Sequence, residues 1–329
     1  MKCAACLLLM LLTVAGGACA TDLRAFELPN QAGTLHYYSS RQARDAGVTS
    51  VLLVMHGHPR DADRSFAAGV QAARAAGRLQ DTLVVAPLYQ VEDARHCSSP
   101  GVPTAEAGDA LWTCASWLAG EPSLGAHPIS AFAALDALVV ELVGRYPNVR
   151  SVTLAGFSAG AQMLQHSIGF AAEPPAGIEV RYVIADPGSW LYFDPVRPLA
   201  QGDGFVTAMP DDECPGYNRW KYGTDALPAW LPGNAAQARA RYAAAQVDYL
   251  EGAQDSNAGR DAFYPILDKS CAAMLQGPFR LQRGLGYVAY EREVLKLQRR
   301  LVVVPGCGHR VECVLPSVQA RSVLFPGRY

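Results

Sequence analysis

The pentapeptide Gly156-Phe157-Ser158-Ala159-Gly160 directly follows the apolar run Val152-Thr153-Leu154-Ala155, and no other segment constrains the chain as tightly. The run has the length and composition of a buried strand. Ala161-Gln162-Met163-Leu164-Gln165-His166 reads as a helix with no breaker before Gly169. A serine at such a strand-to-helix turn takes a strained backbone conformation that only very small flanking residues allow, the arrangement known as a nucleophile elbow. The bare G-x-S-x-G pattern also occurs in ordinary Gly/Ser turns. Here the strand before it and the helix after it supply the context the elbow requires.

The rest of the chain alternates in the same way. A loosely alternating stretch at 23–38, broken at Pro29-Asn30-Gln31-Ala32-Gly33, predicts an antiparallel hairpin. Continuous apolar runs at 48–55, 82–86, 151–155 and 180–185 read as strands, and helical patterns at 65–76 and 129–145 lie between them. Runs at 247–250 and 301–304 extend the series. Strands that are apolar throughout, alternating with helices, indicate an α/β architecture: a mostly parallel sheet covered on both faces. Residues 187–232 interrupt this rhythm with prolines, glycines and the aromatics Trp190, Tyr192, Phe193, Tyr217, Trp220, Tyr222 and Trp230. They predict an insertion, spanning about residues 187–245, that either borders the functional site or is a stapled surface loop whose aromatics pack on one another.

At 329 residues the chain can hold one large α/β domain, expected over residues 21–329. With 28 Lys and Arg against 30 Asp and Glu, and no basic stripe, nothing points to a nucleic-acid partner. Lys2, an apolar run at 7–14 and Ala18-Cys19-Ala20 have the form of a signal peptide over residues 1–20. The apolar run is too short for a transmembrane anchor. Lipid attachment at Cys19 is the competing reading, although Gly16 stands where a lipobox usually has Leu or Val. Removal of the residues before Thr21 leaves Cys97, Cys114, Cys214, Cys271, Cys307 and Cys313, an even set suited to disulfides in a secreted or periplasmic protein. Sequence alone does not fix their pairing; pairing in sequential order is the preferred expectation.

A serine hydroxyl needs a histidine base, and the histidine needs a carboxylate to fix its tautomer. Only His166 and His309 follow Ser158. His166 lies two turns along the same predicted helix and cannot reach back, which leaves His309, just after the last apolar strand. Asp255, in a short loop after the strand at 247–250, is the preferred acid, and Asp186, at the end of the preceding strand, is its rival. Asp248 and Asp261 fit the start of a strand and a helix cap. The backbone N–H groups of Ala159 and of His58, in the loop Met55-His56-Gly57-His58-Pro59, are the expected oxyanion donors. His56 and His58 could also suggest a metal site, but no third ligand stands at a diagnostic spacing.

Together these residues resemble the α/β-hydrolase superfamily over nearly the whole mature chain. Within it, His56-Gly57-His58-Pro59-Arg60-Asp61-Ala62, Trp117-Leu118-Ala119-Gly120, Cys214-Pro215-Gly216-Tyr217-Asn218-Arg219-Trp220-Lys221-Tyr222-Gly223 and Gly308-His309 look like secreted hydrolases related to polyester depolymerases. The resemblance implies a Ser158, Asp255, His309 triad, no metal or organic cofactor, and a small or polymeric ester as substrate. Amide hydrolysis by the same triad is the first alternative. A catalytically inactive ligand-binding protein is the second.

Overall fold

The computed structural model describes residues 22–210 and 214–325; the expected signal peptide at 1–20 and Cys19 lie outside the described residues. Eight strands form the main sheet: β1 (Asp22–Glu27), β2 (Thr34–Ser39), β3 (Ser50–Met55), β4 (Thr82–Leu88), β5 (Ser151–Phe157), β6 (Glu179–Ala185), β7 (Gln246–Gly252) and β8 (Leu301–Val304). Their spatial order is β1-β2-β4-β3-β5-β6-β7-β8. β1 and β2 form the expected antiparallel hairpin, β2 joins β4 antiparallel, and every later pairing is parallel.

The continuous apolar runs have a direct physical cause. In β3, Val51, Leu53 and Met55 enter one core layer, and Leu52 and Val54 enter the other. A strand covered on both faces has no position left for an exposed polar side chain. Helix α1 (Ala62–Ala75) and the segment containing Val311, Val314 and Phe325 cover one face. Helices α2 (Ala131–Arg145) and α3 (Ala159–Ser167) cover the other, joined by the tyrosines of the helix Arg280–Tyr290. Ser130 caps α2 by accepting the Ala133 N–H. Helix α1 starts at Ala62 rather than at Ser65, because the chain turns at Arg60, with φ 58°, directly after the Gly57-His58-Pro59 loop.

Residues 187–245 contain a hairpin, Arg197–Gln201 with Gly204–Ala208, and the helix Ala235–Ala244, capped reciprocally by Asn234 and Gln237. Their aromatics hold the segment against the core and its helices. Trp190 stacks on Tyr287 at 4.3 Å, and the buried Arg197 guanidinium lies 4.4 Å over Tyr192 and 4.9 Å over Tyr217.

Two helical glycines provide a test of how tightly the layers meet. A Cβ at Gly69 in α1 would fall 2.8 Å from Val54 and 3.0 Å from Val84, whereas one at Gly144 in α2 would have nothing within 4 Å. Gly69→Ala should therefore lower unfolding stability by about 1 kcal/mol or more, and Gly144→Ala should raise it by about 0.5 kcal/mol. Urea denaturation of the two variants checks both signs.

Candidate active site

Ser158 occupies the turn between β5 and α3 with φ 58° and ψ −121°. A non-glycine residue in such a region stores about 1–3 kcal/mol of strain. The surrounding packing fixes it there. A Cβ on Gly156 would lie 2.6 Å from the Gly160 carbonyl, and one on Gly160 would lie 2.5 Å from the His56 carbonyl oxygen. The Ser158 N–H donates to Ala185 O at 3.0 Å, and the Gln162 N–H donates to Ser158 O at 3.0 Å.

His309 Nε2 lies 2.8 Å from Ser158 Oγ, and His309 Nδ1 lies 2.7 Å from Asp255 Oδ2. A carboxylate can only accept, so Nδ1 carries the proton toward Asp255, and Nε2 presents its lone pair to the serine hydroxyl. The loops bearing Asp255 and His309 follow β7 and β8 and are tied backbone to backbone. The Gln254 N–H donates to Cys307 O at 2.8 Å, and the His309 N–H donates to Asp261 O at 2.8 Å. Gly252 and Gly308 permit this approach: a Cβ on Gly252 would stand 2.8 Å from the Cys307 and Gly308 carbonyl oxygens, and one on Gly308 2.7 Å from that of Asp261. Phe157 covers the imidazole at 4.7 Å between ring centres.

Arg280 donates to Asp255 Oδ1 at 3.2 Å and to Ala262 O at 2.7 Å. Both side chains are buried, so the guanidinium supplies the charge that makes a buried carboxylate tolerable. Asp186 sits close by but is engaged differently. Its Oδ1 accepts the Gly252 N–H at 2.8 Å, and it makes no hydrogen bond to His309. Burial and the neighbouring Asp255 raise its pKa, and burial together with Asp186 raises that of Glu251. One atom from each of Asp186, Asp255 and His309 lies within 4.8 Å of the others, a grouping of metal-ligand type. Both nitrogens of His309 are already spent on Ser158 and Asp255, so the histidine keeps no lone pair for an ion.

The structure thus brings Ser158, Asp255 and His309 together and leaves Asp186 beside them. The backbone N–H groups of His58 and Ala159 have no hydrogen-bond acceptor among the described residues. They border a cavity of about 300 Å³ that also reaches Ser158. His56 plays another part: its Nδ1 bonds Gly57 O at 2.8 Å and its Nε2 accepts the Tyr89 N–H at 3.2 Å, so it stabilises the loop. His166 is buried against Trp220, and burial lowers its pKa to about 3. Asp261 is no helix cap; its contribution is the carbonyl that receives the His309 N–H. Asp248 lies inside β7 and pairs with Arg181 and Arg300. Disulfides join Cys97 to Cys114, Cys214 to Cys271, and Cys307 to Cys313. Among the described residues no helix is long and apolar enough to cross a membrane.

The strand order, the elbow and the loops that carry its partners define an α/β-hydrolase fold. No protein-family model and no curated protein matches the sequence. Among solved structures the chain is similar to poly(aspartic acid) hydrolase-1 from Sphingomonas sp. KT-1, with 20% identity and a TM-score of 0.62 over 93% of this chain and 99% of that one. It is also similar to the poly(3-hydroxybutyrate) depolymerase of Bordetella parapertussis, with 20% identity and a TM-score of 0.60 over 95% of this chain and 92% of that one.

Burial, with the charge of Arg280 adding to it, lowers the His309 pKa to about 4, and Asp255 restores only part of the difference. Because the shift is downward, the imidazole stays neutral as pH falls from 7 and protonates only near 4. NMR of labelled histidine should show this ring neutral at pH 5. A ring half-protonated near its ordinary value of 6.5 would contradict the downward shift.

Proposed function

We propose that the protein is a secreted or periplasmic serine hydrolase that cleaves carboxylic esters through an acyl-enzyme. The observation that carries this reading is the continuous relay from Ser158 Oγ to His309 to Asp255, at 2.8 and 2.7 Å. Ser158 Oγ attacks the ester carbonyl carbon while His309 Nε2 takes its proton. Asp255 stabilises the resulting imidazolium, and the His58 and Ala159 N–H groups stabilise the oxyanion. His309 then returns the proton to the departing alkoxide, leaving acyl-Ser158. Water, deprotonated by His309, attacks the acyl carbon, releases the acid and restores the serine.

The ion pair with Arg280 supports Asp255 over Asp186 as the acid, because a charge-balanced carboxylate can hold an imidazolium, whereas Asp186 faces another acid, Glu251. The three disulfides support an oxidising compartment. The two similar structures, one a hydrolase of poly(aspartic acid) and the other a depolymerase of a polyester, support a polymeric substrate. The first of them also favours a second reading, hydrolysis of amides by the same triad.

Ser158→Ala should abolish turnover and fluorophosphonate labelling while leaving the melting temperature nearly unchanged, and His309→Ala should cost on the order of 10⁴ to 10⁶ in rate. Asp255→Asn should cost far more activity than Asp186→Asn; the reverse order at equal stability would move the acid to Asp186.

The Cys307–Cys313 bridge encloses the loop bearing His309. So short a loop contributes little to global stability, about 2 kcal/mol. A displacement of about 1 Å at the histidine can cost about a hundredfold in rate. Replacing both cysteines by serine should therefore reduce kcat by a larger factor than the accompanying change in melting temperature accounts for, as parallel kinetic and thermal measurements would show.

A further inference from the structure

The cavity beside Ser158 holds more hydrogen-bond donors than the proposed reaction uses. Two of them, the His58 and Ala159 N–H groups, are assigned to the oxyanion. Three remain. Gln162 is buried on the first turn of α3, and its Nε2 has no acceptor among the described residues. Arg280 spends Nη1 on Asp255 and Ala262, but its buried Nε likewise has no acceptor among them. Lys221 Nζ makes no hydrogen bond among the described residues, and its one ion pair, to Asp268 Oδ2, is long at 3.7 Å.

Asp268 is the one carboxylate lining this cavity, and it is already occupied. Its Oδ2 accepts the Tyr222 hydroxyl at 2.6 Å, and its Oδ1 accepts the Ser270 N–H at 2.9 Å. It therefore aims the lysine without saturating it. Leaving buried donors unpaired is costly, and an acceptor brought in by a ligand would remove that cost. Arg260 and Arg310 line a second hollow, of about 800 Å³, together with Arg64, Asp261 and Glu312; neither Arg260 nor Arg310 has a carboxylate within ion-pair distance among the described residues.

We propose that the cavity is a subsite for a carboxylate borne by the substrate a few bonds from the scissile carbonyl. Lys221 is its ionic partner, and Gln162 Nε2 and Arg280 Nε are its hydrogen-bond donors. The substrate class is thus an ester or amide of a polycarboxylic acid. This inference rests on the serine-hydrolase reading, because the subsite is defined by its distance from the acylated residue. Burial lowers the Lys221 pKa and Asp268 offsets only part of that shift; an anion in the cavity would offset more of it.

The test measures how fast a fluorophosphonate labels Ser158 in the presence of monomethyl adipate, which carries one carboxylate, or of dimethyl adipate, its neutral counterpart. In the wild type the carboxylate competitor should halve the labelling rate at a concentration roughly tenfold or more below that of the diester, the size expected of one charge-assisted contact. Lys221→Gln should bring this ratio to about one, and Lys221→Arg should retain most of it. If Lys221→Gln does not fold, the wild-type ratio must still shrink when salt is raised to ~0.5 M. Equal potency of the two competitors on the wild type, or a ratio that survives Lys221→Gln, overturns the subsite. Failure of the uncompeted wild type to label overturns the nucleophile instead.

Discussion

Two backbone approaches that admit no Cβ, at Gly156 and Gly160, are the constraint on which the rest of the molecule depends. They let β5 turn into α3 within a single residue and press the start of that helix against the carbonyl end of β3. The strain at Ser158 persists because neighbouring strands on both sides over-determine its position. β3 carries His56 and His58 into place at its end, and β6 supplies the carbonyl that holds the Ser158 N–H. A relaxed turn would loosen the hydroxyl and the His58 and Ala159 N–H groups together.

The second organising element is electrostatic. Three carboxyl groups, of Asp186, Glu251 and Asp255, are buried next to one another, and only Asp255 has a cation against it. Burial and mutual repulsion within the cluster favour a proton on Asp186 and Glu251. Arg280 thereby distinguishes one acid from its neighbours, and that acid is the one in contact with His309.

The strands and the elbow were legible in the sequence because a strand buried on both faces must be apolar at consecutive positions, and because the elbow's glycines are adjacent to the serine they serve. Element ends were less so: α1 begins at Ala62 because of a turn at Arg60, which hydrophobic periodicity does not record. Asp255 and Asp186 could not be separated by position, since both follow the carboxyl ends of parallel strands. What separates them is a side chain 25 residues further on in sequence, Arg280. The aromatic stretch signalled a special segment but not its content. Most of its rings pack into the core or on neighbouring helices, and Lys221, one residue among them, is what reaches the cavity.

The three disulfides bear on the walls of the site as well as on how firmly the molecule holds together. One half of each bridge adjoins or encloses a wall of the site: Cys114 precedes Ala115 at the cavity rim, Cys214 and Cys271 bracket Lys221 and Asp268, and Cys307 and Cys313 bracket His309. The sheet and elbow are held by hydrophobic burial, whereas the loops around the site are closed by covalent bonds. A reducing surrounding therefore acts on the walls of the site and leaves the apolar layers beneath them untouched.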